Sequence, residues 1–335
     1  MKRALITGIT GQDGAYLSKL LLSEGYQVHG LVRRKADANF WRLDEMQIKD
    51  KIIFHTGDVT DLASICHVVS TVDPSEVYNL AAQSFVAASF DTPLSTFEIN
   101  AVGTLNLLEA IRLHSSKYCR FYQASTSEMF GLADLEGQNE DTPFHPRSPY
   151  GVAKLAAHWA TINYRETYGL YACAGILFNH ESPYRGIEFV TRKITNGVAR
   201  IAAGLDTHIN LGNIDAIRDW GHAADYVQAM HMMLQRNQPD DYVIATGESH
   251  TVREVCEIAF DYIGHDYRNC VVIDDKLYRP CEVPILKGDP TKAKVKLGWE
   301  PTYTFERLIV DMLDADLSRY GLTRKEAKKY AADDR

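Results

Sequence analysis

Little in this sequence invites a membrane, a metal or a nucleic acid. No apolar run approaches the roughly 18–20 residues that cross a bilayer. The N-terminal stretch Met1-Lys2-Arg3-Ala4-Leu5-Ile6 stops at Thr7-Gly8, too soon for the core of an export signal. The six cysteines (Cys66, Cys119, Cys173, Cys256, Cys270, Cys281) are scattered, with no C-x-x-C pair, no zinc spacing and no H-E-x-x-H. This predicts free thiols in a reducing cytoplasm and no metal centre. Positive charge is in deficit, with 36 Lys and Arg against 44 Asp and Glu and a formal net charge of −8, so no broad basic face is offered to a nucleic acid. Internal repeats, long linkers and low-complexity tracts are missing too. What is there is 335 residues, 45% apolar and 24% charged, enough for a large α/β domain with a smaller partner.

The first half alternates short β-branched runs with helical patterns. Strands are expected at Ala4-Leu5-Ile6, Val28 to Val32, Ile52-Ile53-Phe54, Glu76 to Leu80 and Arg120 to Ala124. A first helix carries Leu17, Leu20 and Leu21 on one face and stops at Gly25. Another is expected from about Phe97 to Leu113, with Leu105, Leu108 and Ile111 on its apolar side. Strand–helix–strand repeated in this way predicts an α/β fold, a doubly wound parallel sheet of Rossmann type, over residues 1–176. Beyond it, loops rich in Arg, Asn, Gly and Pro alternate with helices at Val190 to Ala203 and Val252 to Ile263. They predict a smaller mixed α/β substrate domain from 177–220 and 247–335. A returning segment of about 221–246 holds a helix near Asp225 to Leu234 and the run Val243-Ile244-Ala245.

Gly8-Ile9-Thr10-Gly11-Gln12-Asp13-Gly14 follows the first strand and opens the first helix. Glycines let a backbone turn tightly against a pyrophosphate, and the helix N-terminus adds free N–H groups. The spacing is G-x-x-G-x-x-G, and alone it also suits any junction needing positive φ. Its place at the first βα turn points to a dinucleotide. The second strand ends in Val32-Arg33-Arg34-Lys35, where an NAD enzyme usually places an acid for the ribose hydroxyls. Three cations suit the extra phosphate of NADP. Asp58, followed by Val59, can accept from an adenine amine. Asn79-Leu80-Ala81-Ala82-Gln83-Ser84 supplies small residues for close cofactor approach.

Ser148-Pro149-Tyr150 opens a long helix, with Ser148 as cap and Pro149 at the first helical position. Val152, Leu155, Trp159 and Ile162 are its expected buried stripe. Tyr150 and Lys154, four apart, lie off that stripe, and the ammonium is expected to lower the phenol pKa toward that of a useful base. Ala124-Ser125-Thr126-Ser127-Glu128 ends the fifth strand, at the ligand-facing edge of such a sheet. Thr126 offers a hydroxyl to a substrate oxygen. Glu128 offers a carboxylate that can take a proton from carbon and give one to a leaving hydroxyl.

Together these motifs resemble the extended short-chain dehydrogenase/reductase superfamily and, within its sugar-nucleotide branch, the GDP-mannose 4,6-dehydratase family. The resemblance continues through Ile176-Leu177-Phe178-Asn179-His180-Glu181-Ser182-Pro183, Arg218-Asp219-Trp220-Gly221 and Arg279-Pro280, covering nearly the whole chain. Glucose-nucleotide dehydratases usually carry Thr-Asp-Glu where this chain has Thr126-Ser127-Glu128. The resemblance implies NADP as cofactor, held by Gly8, Thr10, Gly11, Gln12, Asp13, Gly14, Arg33, Asp58, Val59, Leu80, Ala81, Ala82, Ser84, Tyr150, Lys154, His180 and Arg185. It implies Tyr150 as the base at sugar O4, Lys154 on the nicotinamide ribose, Thr126 near O4, and Glu128 as both base at C5 and acid for the C6 hydroxyl. Asn179, Arg192, Lys193, Arg218 and Arg279 fall where a sugar diphosphate should lie. The implied substrate is GDP-mannose or a closely related GDP-sugar. A GDP-heptose dehydratase would carry the same set, whereas a 4-epimerase would leave Glu128 without a task. The family also implies a homo-oligomer, expected to be a tetramer. The loop after the second strand would reach a neighbour, and the pair Phe40-Trp41 would be left partly exposed in a monomer. The chain departs from the family at Tyr184, where a second basic residue is common.

Overall fold

The computed structural model describes residues 1–34, 39–115, 119–132, 137–278, 283 and 285–333. Lys35, Cys281 and Arg279 therefore lie outside the described residues. Six strands, β1 (Arg3–Thr7), β2 (Gln27–Val32), β3 (Ile53–Thr56), β4 (Glu76–Asn79), β5 (Arg120–Thr126) and β6 (Tyr171–Leu177), are joined by an edge strand, Tyr242–Ile244. All seven run parallel, in the order Tyr242–Ile244, β6, β5, β4, β1, β2, β3. The order reverses at β1, which pairs Ala4 with Val28 on one side and with Glu76 on the other. Such a switch point opens a crevice at the strands' carboxyl ends.

The strand period of two explains the double winding. Ala4 and Ile6 face one core with Leu17 and Leu21 of α1 (Gln12–Ser23) and Met230 and Met233 of the helix Ala223–Leu234. Leu5, between them, faces the other core with Ile65, Val69, Leu107 and Ile111. Residues from about 190 onward build a third cluster. Ile194 and Val198 of the helix Val190–Ala202 meet Val255 and Phe260 of Val252–Ile263, and Leu308 and Met312 of Phe305–Arg319. No helix among the described residues is long and apolar enough to cross a membrane. Cys119, Cys173, Cys256 and Cys270 are buried free thiols, and Cys66 is a half-buried one.

Two apolar stripes read from the sequence are placed differently. The helix Pro149–Tyr168 buries Tyr150, Ala153, Lys154, Ala157, His158 and Thr161, while Val152 and Trp159 are 48% and 55% exposed. Leu105 is likewise exposed, although Leu108 and Ile111 are buried. The long helix turns the face that carries Tyr150 and Lys154 inward because small residues there, Ala153 and Ala157, allow close approach to the sheet. Hydrophobicity alone selects the opposite face. The helix expected from Phe97 begins instead as a wide i→i+5 turn, Glu98–Val102, before Gly103–His114. Asn100 in that turn clamps the loop after β4. Its Oδ1 accepts from Gln83 N at 2.9 Å and its Nδ2 donates to Gln83 O at 3.0 Å.

Candidate active site

A buried polar network holds the floor of the crevice. Thr7 Oγ1 donates to Asn79 Oδ1 at 2.7 Å and accepts from Leu80 N and Ala81 N, both at 3.1 Å. Asn79 Nδ2 donates onward to Thr104 Oγ1 and Gln123 Oε1. The ends of β1, β4 and β5 are thereby locked together, since unmaking a buried polar contact is costly. Above them lies a cavity of about 200 Å³. Gly8, Gly11, Gln12, Asp13, Gly14, Leu80, Ala82, Ser84, Thr126, Glu128, Tyr150, Lys154, Asn179, His180 and Arg185 all line it.

The glycine turn leaves no room for side chains. Gly8 has φ +67°, and a Cβ there would stand 2.6 Å from the Leu80 carbonyl carbon; one on Gly14 would stand 2.5 Å from Gly8 O. Gly11 caps α1 without a side-chain hydrogen bond, so the first turn presents backbone to the cavity. A bare cradle facing a helix N-terminus fits the pyrophosphate of a dinucleotide. The start of α1 is tied to the segment after β6. Gln12 Nε2 donates to His180 O at 3.0 Å and Ser182 Oγ donates to Gln12 Oε1 at 2.7 Å. His180 Nε2 lies 2.8 Å from Asp13 Oδ2, and its Nδ1 lies 2.7 Å from Phe178 O. Facing an acceptor at each nitrogen, the ring favours the imidazolium. Burial opposes this, but Asp13 wins and raises the pKa, while His180 in turn lowers that of Asp13 against its own burial.

Ser148 Oγ accepts from Gly151 N at 3.0 Å and starts the helix Pro149–Tyr168. Four residues in register then point inward. Tyr150, Lys154, Thr126 and Glu128 are each less than 10% exposed. Thr126 Oγ1 accepts from Glu128 N at 3.3 Å, which fixes the turn after β5, and its hydroxyl hydrogen-bonds Tyr150. Burial pushes the Tyr150 phenol up to about 12; the Thr126 hydrogen bond pulls down, and the Glu128 charge pushes up further. Lys154 Nζ donates to Ala124 O at 2.8 Å and sits 5.9 Å from the Tyr150 ring centre. Burial brings Lys154 down to about 8. Burial thus dominates the Tyr150 phenol, and the groups that pull it down are the Thr126 hydroxyl and the Arg185 charge rather than the expected Lys154. A phenol, an ammonium, a hydroxyl and a carboxylate around one small cavity can take a proton from a sugar hydroxyl and from an adjacent carbon.

Residues 5–312 match the family described as GDP-mannose 4,6 dehydratase. The chain is 54% identical over 325 residues to GDP-mannose 4,6 dehydratase 1 of Arabidopsis thaliana, covering 94% of this chain and 90% of that protein. It is 49% identical over 341 residues to the human GDP-mannose 4,6 dehydratase, covering 94% and 91%. The chain belongs to the GDP-mannose 4,6-dehydratase family. Among solved structures, the dTDP-glucose 4,6-dehydratase of Bacillus anthracis in complex with NAD superposes with a TM-score of 0.83 at 23% identity, over 97% of this chain and all of that one. The UDP-glucose 4-epimerase of Thermus thermophilus in complex with NAD gives 0.81 at 26% identity, over 95% and 99%.

In this member of the GDP-mannose 4,6-dehydratase family, some expected site residues stand away from the cavity wall. Arg33 is exposed at the end of β2, beside exposed Arg34. Asp58 Oδ1 is engaged by Thr60 N and Oγ1 at 3.0 and 2.9 Å, and Val59 is buried in the core. Ala81 contributes its N–H to Thr7, and Thr10 O accepts from Arg42 at 3.2 Å. Among the four expected diphosphate ligands that lie within the described residues, only Asn179 reaches the cavity. Lys193 is half-buried near Asp274, and Arg218 is buried with a guanidinium nitrogen on Ile217 O. Arg192 is not brought to the site. Its Nε and Nη2 grip Asp316 at 2.5 to 3.0 Å, and its Nη1 donates to Pro183 O and Arg185 O. Four of the guanidinium's five N–H donors are thereby engaged within the fold, and Arg192 is not among the residues that line the cavity. Phe40 and Trp41 are both half-buried, so part of each stays exposed as expected: Phe40 packs on Phe54, and Trp41 lies against Tyr184, Arg42 and Arg319 of the same chain.

Sequence reasoning missed part of this dehydratase-family cavity. Val86, Phe178 and Phe189 line it, and Arg185 lies 3.6 Å over the Phe189 ring. Single apolar residues at the ends of separate elements, such as Val86 at the start of the helix Val86–Asp91, carry no periodic signal, so nothing local marked them. The Asp13–His180 pair was legible only as two separate residues, since 167 positions separate them.

Proposed function

We propose that this chain catalyses the NADP-dependent dehydration of GDP-α-D-mannose to GDP-4-dehydro-6-deoxy-α-D-mannose, a carbon–oxygen lyase reaction with no net change of cofactor. The observation that carries this reading is that Thr126, Glu128, Tyr150 and Lys154 share one cavity with the glycine cradle. About half of all positions are identical to curated GDP-mannose 4,6-dehydratases across nearly the whole chain, which supports the sugar and the base. Both solved neighbours hold NAD, which supports a nicotinamide cofactor. The exposed Arg33 and Arg34 at the end of β2 favour the phosphorylated form.

When bound, the cofactor supplies a hydride acceptor for C4 and a donor for C6. Gly8, Gly11 and Gly14 would hold its pyrophosphate, and Lys154 its ribose. Tyr150 takes the O4 proton, and Thr126 fixes both that phenol and O4. A ketone at C4 makes the C5 proton acidic. Glu128 takes it and returns a proton to the C6 hydroxyl as it leaves as water. Ser127 adds no carboxylate beside Glu128, so one group serves both steps. The buried setting excludes water that would compete for these protons.

The protein is expected to act in the cytoplasm as a homo-oligomer, a tetramer by its family. Light scattering at micromolar concentration checks this, and full activity in a monomer would refute it. The central test is incubation with GDP-mannose and NADP, with mass spectrometry of the product. A product lighter by one water is expected. No such product from GDP-mannose or a GDP-heptose would overturn the reading, and a C4 epimer of unchanged mass would mark an epimerase.

A further inference from the structure

The carbonyls of Pro183, Tyr184 and Arg185, consecutive along one loop, each accept from a guanidinium. Arg192, on the helix Val190–Ala202, donates to Pro183 O at 2.9 Å and to Arg185 O at 3.0 Å. Arg42 takes the carbonyl between them, its Nε donating to Tyr184 O at 2.7 Å. Its Nη1 donates at 3.2 Å to Thr10 O, inside the glycine turn. One guanidinium therefore joins the glycine cradle to the loop that carries Arg185, and Arg185 lines the same cavity as Gly8, Gly11 and Gly14. We propose that Arg42 is a positioning residue for the cofactor, fixing the span between the glycine turn and Arg185.

The electrostatic setting of Arg42 points the same way. The side chain is half-buried. Burial lowers its pKa; Glu188 opposes this, and Arg192, Arg185 and Arg319 add to it. Each of those three arginines has a carboxylate in contact: Arg192 has Asp316, Arg185 has Glu181, and Arg319 has Glu45 and Asp316. Arg42 instead directs its hydrogen bonds to two main-chain carbonyls. Holding a cation among cations is unfavourable. A pyrophosphate bound on the neighbouring glycine turn would offset that repulsion, so the position suits an anion's approach.

The surroundings keep this bridge in place. The Arg42 guanidinium lies 4.6 Å over the Trp41 ring, and Trp41 packs on Tyr184 at 5.7 Å between centres. Arg319 lies 5.4 Å over the same indole and is tied to Glu45 at 3.0 Å. Gln12, bonded to His180 O and Ser182 Oγ, sets the segment up to Ser182. Arg42 carries that register two residues further, to Tyr184. Arg185 follows at once, with its guanidinium 3.6 Å over the Phe189 ring, so its reach into the cavity depends on where this loop sits. Two walls held at a fixed distance need no ordering when the cofactor arrives, which strengthens binding. Arginine suits the task because its planar fork reaches carbonyls of two separate segments, whereas a lysine ammonium is a single point.

The proposal rests on the reading of the glycine cradle as a nicotinamide dinucleotide site, and its test reads cofactor binding rather than turnover. The full-length protein is titrated with NADPH, followed by the cofactor's fluorescence, as the unmodified chain, Arg42→Ala, Arg185→Ala and the double variant. Each single change should raise Kd about 10-fold, the scale of one hydrogen bond to a charged group. The double variant should bind within about threefold of Arg185→Ala, because Arg42 then has no side chain left to aim. Arg42→Lys keeps the charge but not the fork. It should recover only part of the loss, and it takes the place of Arg42→Ala in the cycle if the alanine variant does not fold. A Kd within about twofold of the unmodified value in either alanine variant overturns the proposal. So does a double variant weakened by the product of the two single effects, about 100-fold, which would make Arg42 an independent ligand or a general support. Full recovery in Arg42→Lys also overturns it, since charge alone would then suffice. An unmodified protein that binds neither NADPH nor NADH would instead fail the dinucleotide reading.

Discussion

Replacing Arg192 with alanine separates a structural arginine from a substrate-binding one. The guanidinium makes three contacts of 2.5 to 3.0 Å to the Asp316 carboxylate and two, of 2.9 and 3.0 Å, to the carbonyls of Pro183 and Arg185. Asp316 is wholly buried. Removing one partner of a buried ion pair typically costs about 3–5 kcal/mol, because the other charge is left without compensation. Here Asp316 keeps Thr195 Oγ1 at 2.8 Å and Arg319 Nη1 at 3.0 Å, which places the expected loss near the lower end, about 3 kcal/mol. At roughly 2 °C per kcal/mol for a chain of this size, Tm should fall by about 6 °C. Urea unfolding and calorimetry measure the loss. Kinetics well below the new Tm should then show a KM for the GDP-sugar within about threefold of the unmodified value, since no phosphate contact has gone. A stability change below about 1 kcal/mol together with a KM raised more than about tenfold would refute the argument and return Arg192 to the diphosphate.

Three other outcomes are expected. Glu128→Gln should dehydrate about 10²–10⁴-fold more slowly and stop exchange of the C5 hydrogen with solvent deuterium, yet still accumulate reduced cofactor by its near-ultraviolet absorbance; Tyr150→Phe should show neither exchange nor reduction. Fast C5 exchange in Glu128→Gln would assign the base elsewhere. Arg33→Glu should weaken NADP by about tenfold or more while leaving NAD nearly unchanged, measured by titration, and equal weakening of both would deny the phosphate contact. His29, whose Nδ1 lies 2.9 Å from His55 Nε2, is pulled down to about 4 by burial, with the His55 charge adding to the effect. Its folded pKa lies below the ordinary 6.5, so the unfolded chain binds more protons between these values and stability should fall as pH drops from about 6.5 toward 4. His29→Gln should flatten that slope in thermal melts, and an unchanged slope would place the acid sensitivity in other groups.

The sequence by itself determined the sheet and the chemistry at its edge. Short apolar, β-branched runs located five strands to within a residue or two, because the inner strands of a parallel sheet are buried on both faces and leave a strong local signal. The glycine turn, Thr126-Ser127-Glu128 and the Tyr150/Lys154 pair were legible because each depends on short spacing along one turn or one helix. What the tertiary structure decided is which face, partner and charge state each residue receives. Val152 and Trp159 looked like core and are exposed, since the helix buries its polar side against β5. Arg192 looked like a phosphate ligand and is spent on Asp316, 124 residues away. Tyr150 was expected to be acidified by Lys154, and burial raises it instead. In each case residue type and spacing were readable, but the outcome depended on desolvation and on partners brought close only when distant segments pack, which no local pattern encodes.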